Sequence, residues 1–188
     1  MAAALDRLGT GTIPAASPRL AYYVQDYEPL FYPPGSPRWW RAFSSYGLLP
    51  GAIHFAKTDW IRTMVQLNHG VEVARVEPGL DRTVFFADPD KDLGGRPLLT
   101  AMVRPSTPRR GPRRTLRVLN RIAAARGDAV EIAIFGCADV ELGAMGLDID
   151  PAIRRLGVLD RQEAAGLLRH TDLFVDASDY QAFGRTAF

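Results

Sequence analysis

The chain has 188 residues, 47% hydrophobic and 23% charged, the balance of a folded globular protein, which excludes general disorder. A net charge of +2 is too small for a nucleic-acid or membrane footprint over the whole chain. The single Cys137 excludes an internal disulfide framework and fits a reducing, cytoplasmic compartment, and no apolar run reaches the roughly 18 residues of a membrane span.

Residues 1–19 are rich in Ala, Gly, Thr and Pro, lack the pattern of a signal peptide, and are expected to be poorly ordered. Residues 20–24 read as a strand, followed by a loop over 25–35. Residues 38–49 form a short predicted helix carrying Trp39, Trp40 and Phe43, and 52–56 are a second strand. Thr58 or Asp59 would cap a helix running to about Leu67, and 71–76 are a third strand before the Pro78-Gly79 breaker. The polar stretch 87–96, with adjacent glycines Gly94 and Gly95, is the expected linker between a lobe over 20–86 and another over 97–188.

Beyond the linker the pattern is regular. Residues 98–103 are a strand, 104–114 a loop, and 115–126 a helix with Leu116, Leu119, Ile122 and Ala123 on one face. Gly127 supplies its C-terminal cap. Strand 130–135 ends at Gly136, and a weak helical region precedes a short strand over 155–158. Asp160 and Glu163 form a capping box for a helix ending near His170. Leu173, Phe174 and Val175 begin a last strand of buried, parallel-sheet type, over 173–176, and a turn-prone loop over 178–184 leads into the start of a further helix. Strands alternating with helices imply an α/β fold with parallel, doubly wound sheets.

Chemistry is expected at the ends of these strands. Arg104, Arg109 and Arg110 follow a strand and flank Pro105 and Pro108, which stiffen the loop and lower the entropic cost of holding the guanidinium groups. Such a set suits a diphosphate, because each guanidinium can fork onto phosphate oxygens. The same loop also reads as a solvated basic turn or, extended by Arg113, Arg114 and Arg117, as a nucleic-acid patch, although no aromatic residues interleave with the arginines. Gly136 and Gly157 permit close backbone approach near strand ends, or simply make turns. Asp26 and Glu28 place two carboxylates in the first loop, either for acid–base work or in a solvated turn. His54, His69 and His170 lack metal-ligand spacing; His54 reads as a packed core residue, and no metal site is expected.

Taken together, the segments over 22–33 (YYVQDYEPLFYP), 103–111 (VRPSTPRRG), 135–136, 156–157 and 177–184 (ASDYQAFG) resemble the GT-B fold glycosyltransferases, in particular the bacterial rhamnosyltransferases related to S-layer glycan enzymes. The first two are specific as a pair; the rest are generic. The resemblance implies parts of two Rossmann-like lobes: the C-terminal part of the acceptor-side lobe over 20–86, and the N-terminal part of the nucleotide-sugar donor lobe over 97–188. It implies transfer of a sugar, rhamnose first, from a nucleotide diphosphate donor such as dTDP-rhamnose to a glycan acceptor, with no cofactor and no metal. Arg104 with Arg109 or Arg110 would then clamp the diphosphate, Gly136 would allow close approach, and Gly157 would touch the base. Phe183 and Gly184 would face the sugar and phosphate together with Gln181, and Asp26 would contact the acceptor. Gln181 departs from the glutamate found there in many relatives, and the second acid of that pattern would fall at 189. The piece is accordingly expected to have weak or no activity alone. A non-catalytic nucleotide- or phosphate-binding module is the alternative.

Overall fold

In the computed structural model, which describes residues 19–91 and 94–180, the first helix begins where Ser36 can cap it. The Ser36 hydroxyl accepts the Trp39 N–H at 3.2 Å and Pro37 takes the first helical position, giving α1 over Pro37–Ser44. Residues Ser45–Gly47 then tighten into a 3₁₀ turn, so the helix expected over 38–49 ends early. Thr58 caps α2, Asp59–His69, by accepting the Ile61 N–H at 3.3 Å, and Gly70, at φ 63°, ends it in the left-handed conformation. These helices connect β1 (Ala21–Val24), β2 (Ile53–Ala56) and β3 (Val73–Arg75), which form a parallel sheet in that order. Val24, Ala56, Ile61, Val65, Val73 and Tyr46 are buried in its core.

The chain divides between Glu77 and Pro78 into two units. The second is built on β4 (Leu98–Met102), β5 (Glu131–Phe135), β6 (Ile153–Arg155) and β7 (Leu173–Phe174), all parallel, in the order β6-β5-β4-β7. The chain steps outward from β4 to β6 and then returns to the other side of β4, the order reversal of a doubly wound sheet. Helices α3 (Pro112–Arg126), α4 (Asp139–Gly143) and α5 (Arg161–His170) lie between the strands in sequence. As its spacing predicts, α3 buries Leu116, Leu119 and Ala123 against Leu99, Ala101, Ile132 and Ile134. The Asp160–Glu163 capping box of α5 is formed, each carboxylate accepting the other residue's N–H at 2.8 Å.

Three expectations are corrected. Helix α3 starts at Pro112 rather than Thr115, because Gly111 at φ 61° and a proline at the first position turn the loop into a helix directly. The strand expected over 155–158 lies at Ile153–Arg155, because Gly157 at φ 71° cannot continue a pleated strand. Leu173 is 54% exposed rather than buried, since β7 pairs only with β4 among the described strands.

The division at Glu77 also falls ahead of the 87–96 stretch. Residues after it are held by the second unit: Arg161 pairs with Asp81 at 2.6 Å, and the Arg169 guanidinium lies 3.9 Å from the centre of the Phe86 ring. Lys91 Nζ pairs with Asp172 at 2.8 Å and donates to the Thr171 carbonyl at 2.7 Å. The Asp172 carboxylate also accepts the Leu98 N–H at 2.7 Å, tying the start of β7 to the start of β4. The expectation for residues 1–18 concerns positions outside the described residues.

Candidate functional site

All strands of the second unit run the same way, so their carboxyl ends share one edge. The Val103 N–H donates to the Phe135 carbonyl at 2.8 Å, which carries the pairing one residue past β4 and leaves Arg104 as the first exposed residue beyond it. The Arg104 carbonyl accepts the Thr107 N–H at 3.0 Å, and a 3₁₀ turn over Pro108–Arg110 follows, with Arg109 and Arg110 half-buried. At the end of β5, Gly136 has φ 102° and donates its N–H to the Gly157 carbonyl at 2.7 Å. A Cβ on Gly136 would stand 2.9 Å from Met102 Cγ and 3.2 Å from the Val103 carbonyl, so the approach of these strand ends requires glycine. Arg104, Gly136 and Gly157 are thereby gathered at the ends of β4, β5 and β6.

The loop after β7 closes the same edge where the sheet order reverses. The Asp179 N–H donates to the Arg109 carbonyl at 2.9 Å, and the Arg114 guanidinium donates to the Ala177 carbonyl at 3.2 Å and to the Asp179 carboxylate. Gly111 lies so close to this loop that a Cβ would stand 2.2 Å from the Ala177 carbonyl oxygen. In an open α/β sheet ligands bind outside the carboxyl ends of the strands at such a reversal. Guanidinium groups on a proline-stiffened loop there can take charged oxygens bidentately. The Arg114–Asp179 pair was not visible in the sequence, because nothing local marks partners on α3 and beyond β7. Gln181, Phe183 and Gly184 lie outside the described residues.

In the first unit Asp26 follows β1. Its carboxylate accepts the Tyr27 N–H at 3.0 Å, and its carbonyl accepts the Tyr46 hydroxyl at 3.2 Å. Tyr46 also accepts the Glu28 N–H at 3.1 Å, which fixes the loop from below. The Tyr27 hydroxyl lies 3.0 Å from His69 Nε2, and the Tyr27 and Tyr46 rings stack at 5.7 Å between centroids. Burial lowers the His69 pKa below the ordinary histidine value and raises those of the Tyr27 and Tyr46 hydroxyls, which favours a neutral imidazole facing a protonated phenol. This Tyr27–Tyr46–His69 cluster escaped the sequence reading, which weighed His69 only for metal-ligand spacing. His54 is buried and its Nδ1 lies 3.2 Å from the Ala52 carbonyl, the packed role read for it. Among the described residues no group of three or more His, Cys, Asp or Glu side chains could hold a metal ion, and no helix is long and apolar enough to cross a membrane.

Each of the two α/β units has a parallel sheet, and by its likeness to solved structures this chain carries part of the GT-B fold of glycosyltransferases. Its similarity to the solved structure of TarM has a TM-score of 0.64 at 14% identity, over 89% of this chain and 33% of that one. Against a point mutant of S. aureus TarM in complex with fondaparinux, alpha-GlcNAc-glycerol and UDP the score is 0.62 at 12% identity, over 89% and 34%. Anabaena HepE in complex with UDP and glucose matches with a TM-score of 0.62 at 16% identity, over 89% of this chain and 48% of that one. In sequence the chain is 33% identical over 155 residues to the O-antigen biosynthesis protein RfbC of Myxococcus xanthus. That match covers 81% of this chain and 11% of RfbC, so the chain spans a small part of its curated relative. No family model matches.

Proposed function

We propose that the chain is part of a glycosyltransferase that moves a sugar from a nucleotide diphosphate donor to a glycan acceptor, with the donor on the second unit. The observation that carries this reading is the convergence of Arg104, the Arg109–Arg110 turn, Gly136 and Gly157 on the carboxyl edge of one sheet, the arginine loop leaving β4 beside the strand-order reversal. Complexes of HepE with UDP and glucose, and of TarM with UDP, support a nucleotide-sugar donor by analogy of fold.

In this reading Arg104 and one of Arg109 or Arg110 hold the diphosphate, and the glycines at 136 and 157 let the nucleotide approach the backbone. Gln181, Phe183 and Gly184 are the candidates it assigns to the sugar, and Asp26 the candidate it assigns to the acceptor. The acceptor hydroxyl oxygen bonds to the anomeric carbon as the bond from that carbon to the diphosphate oxygen breaks, and the hydroxyl proton passes to the departing diphosphate. Negative charge grows on the departing oxygen, where fixed guanidinium groups stabilise it without a metal. The likeness to RfbC, an O-antigen biosynthesis protein, supports a role in O-antigen-type polysaccharide synthesis, and the resemblance of the motifs to bacterial rhamnosyltransferases makes dTDP-rhamnose the first donor to try.

Titration calorimetry of dTDP, dTDP-rhamnose, UDP and UDP-glucose tests the reading. Arg104→Ala is expected to weaken binding by about 1.5–3 kcal/mol, roughly 10- to 200-fold, the range for a hydrogen bond to a charged group. A loss under about twofold removes Arg104 from the clamp, and no saturable binding by the folded chain overturns the donor assignment.

A further inference from the structure

A cavity of about 520 Å³ opens between the first turns of α3 and the end of α4, and its cationic side chains are not those of the proposed diphosphate clamp. Arg113 and Arg117 reach it from α3, and Pro105, Pro112 and Met145 supply apolar walls. Both arginines are exposed and make no hydrogen bond or ion pair among the described residues. Two other charged residues line it. Arg114 already binds Asp179 and the Ala177 carbonyl. Glu141 directs its carboxylate to the Ala138 N–H at 2.9 Å, at the start of its own helix.

The surplus charge is not an accident of one residue. Helix α3 carries Arg113, Arg114, Arg117, Arg121 and Arg126 and no acid, although an exposed helix face ordinarily mixes both signs. A solvated stripe of arginines would not by itself make a site. Here two unpaired members stand at a concavity of ligand size, against rigid prolines and a buried methionine. Guanidinium groups match the oxygens of a phosphate, and the apolar wall beside them favours a phosphate carried on an apolar body.

We infer that this cavity is a second anion site, which takes the phosphate group of an amphiphilic phosphate ester through Arg113 and Arg117. The ester has two possible sources, a soluble molecule or a phospholipid headgroup in a membrane surface.

Calorimetry with dihexanoyl phosphatidic acid, kept below its micelle concentration, tests the soluble form. Flotation with phosphatidylglycerol vesicles against phosphatidylcholine vesicles tests the membrane form. Two variants act by different means: Arg113→Gln/Arg117→Gln removes the charges, and Ala144→Trp fills the cavity from its exposed rim. Each is expected to weaken binding about tenfold or more, with an unchanged thermal melt and unchanged dTDP affinity. Arg104→Ala should leave ester binding intact. Binding of the soluble ester assigns a free ligand; binding only to phosphatidylglycerol vesicles assigns a headgroup. Failure of both probes to bind, survival of binding in both variants, or displacement of the ester by dTDP overturns the proposal. Displacement by dTDP would do so because the cavity would then belong to the donor site.

Discussion

Three glycines at the sheet edge have positive φ, but a side chain at each would meet different surroundings. Gly157 has open space around a hypothetical Cβ, so Gly157→Ala pays only for left-handed backbone, about 1–2 kcal/mol. At Gly111 the same substitution adds a collision with the Ala177 carbonyl, and neither backbone can yield without parting the loops after β4 and β7. Gly111→Ala should therefore cost about 3 kcal/mol or more, and a shift in urea midpoint no larger than that of Gly157→Ala would refute the close packing. His69 sets a different condition in the first unit. Burial keeps its folded-state pKa below the unfolded value near 6.5, so the unfolded chain takes up the proton first as pH falls. Stability should drop below about pH 6.5 and level off once the folded form also protonates. His69→Gln, which can still hydrogen-bond to Tyr27 but does not titrate, should flatten that part of a plot of melting temperature against pH.

Among the described strands β7 is the shortest, two residues long, and it pairs only with β4. Its start is fixed by Asp172, whose carboxylate takes Lys91 and the Leu98 N–H; these hydrogen bonds hold its pKa below the ordinary aspartate value. A lowered carboxyl pKa stabilises the fold above the unfolded value and is lost as pH falls through the folded one. Asp172→Asn should thus lower the melting temperature at neutral pH, and the difference from the parent should shrink on acidification; a gap constant with pH would rule out the charge as its cause. The features at this scale that could be read from the sequence are local ones. The caps at Thr58 and Asp160–Glu163 act over three residues, and the α3 face repeats with the helix. Arg104 and Gly136 were likewise marked as candidates because each follows an apolar run. The pairs Lys91–Asp172, Arg114–Asp179 and Tyr27–His69 join residues far apart in sequence, and only the strand order brings them together. Leu173 misled for a related reason: an apolar run looks the same in a central strand and in one paired on a single side.

For the molecule as a whole, parallel strands make the two edges of the second sheet chemically unlike. The carboxyl edge bears Arg104, Gly136, Gly157 and Asp179; at the amino edge Leu98 bonds to Asp172, which pairs with Lys91, and Glu131 pairs with Arg96. Hydrogen exchange with and without a nucleotide sugar can tell edge binding from general stabilisation. A ligand at 100 times its Kd stabilises the folded state by about 2.7 kcal/mol, so amides of β4 and β5 that exchange through global unfolding should all slow by that common increment. Loop amides exchange through local openings and slow only where the ligand touches. Extra protection is therefore expected at 104–111, 136–138, 157–158 and 176–179, with none at 94–97, 127–130 or 150–152. Slowing at both edges alike would mean that the ligand stabilises the unit without occupying the carboxyl edge. Slowing confined to 113–117 and 141–145 would move the nucleotide into the cavity beside α3 and overturn both site assignments together.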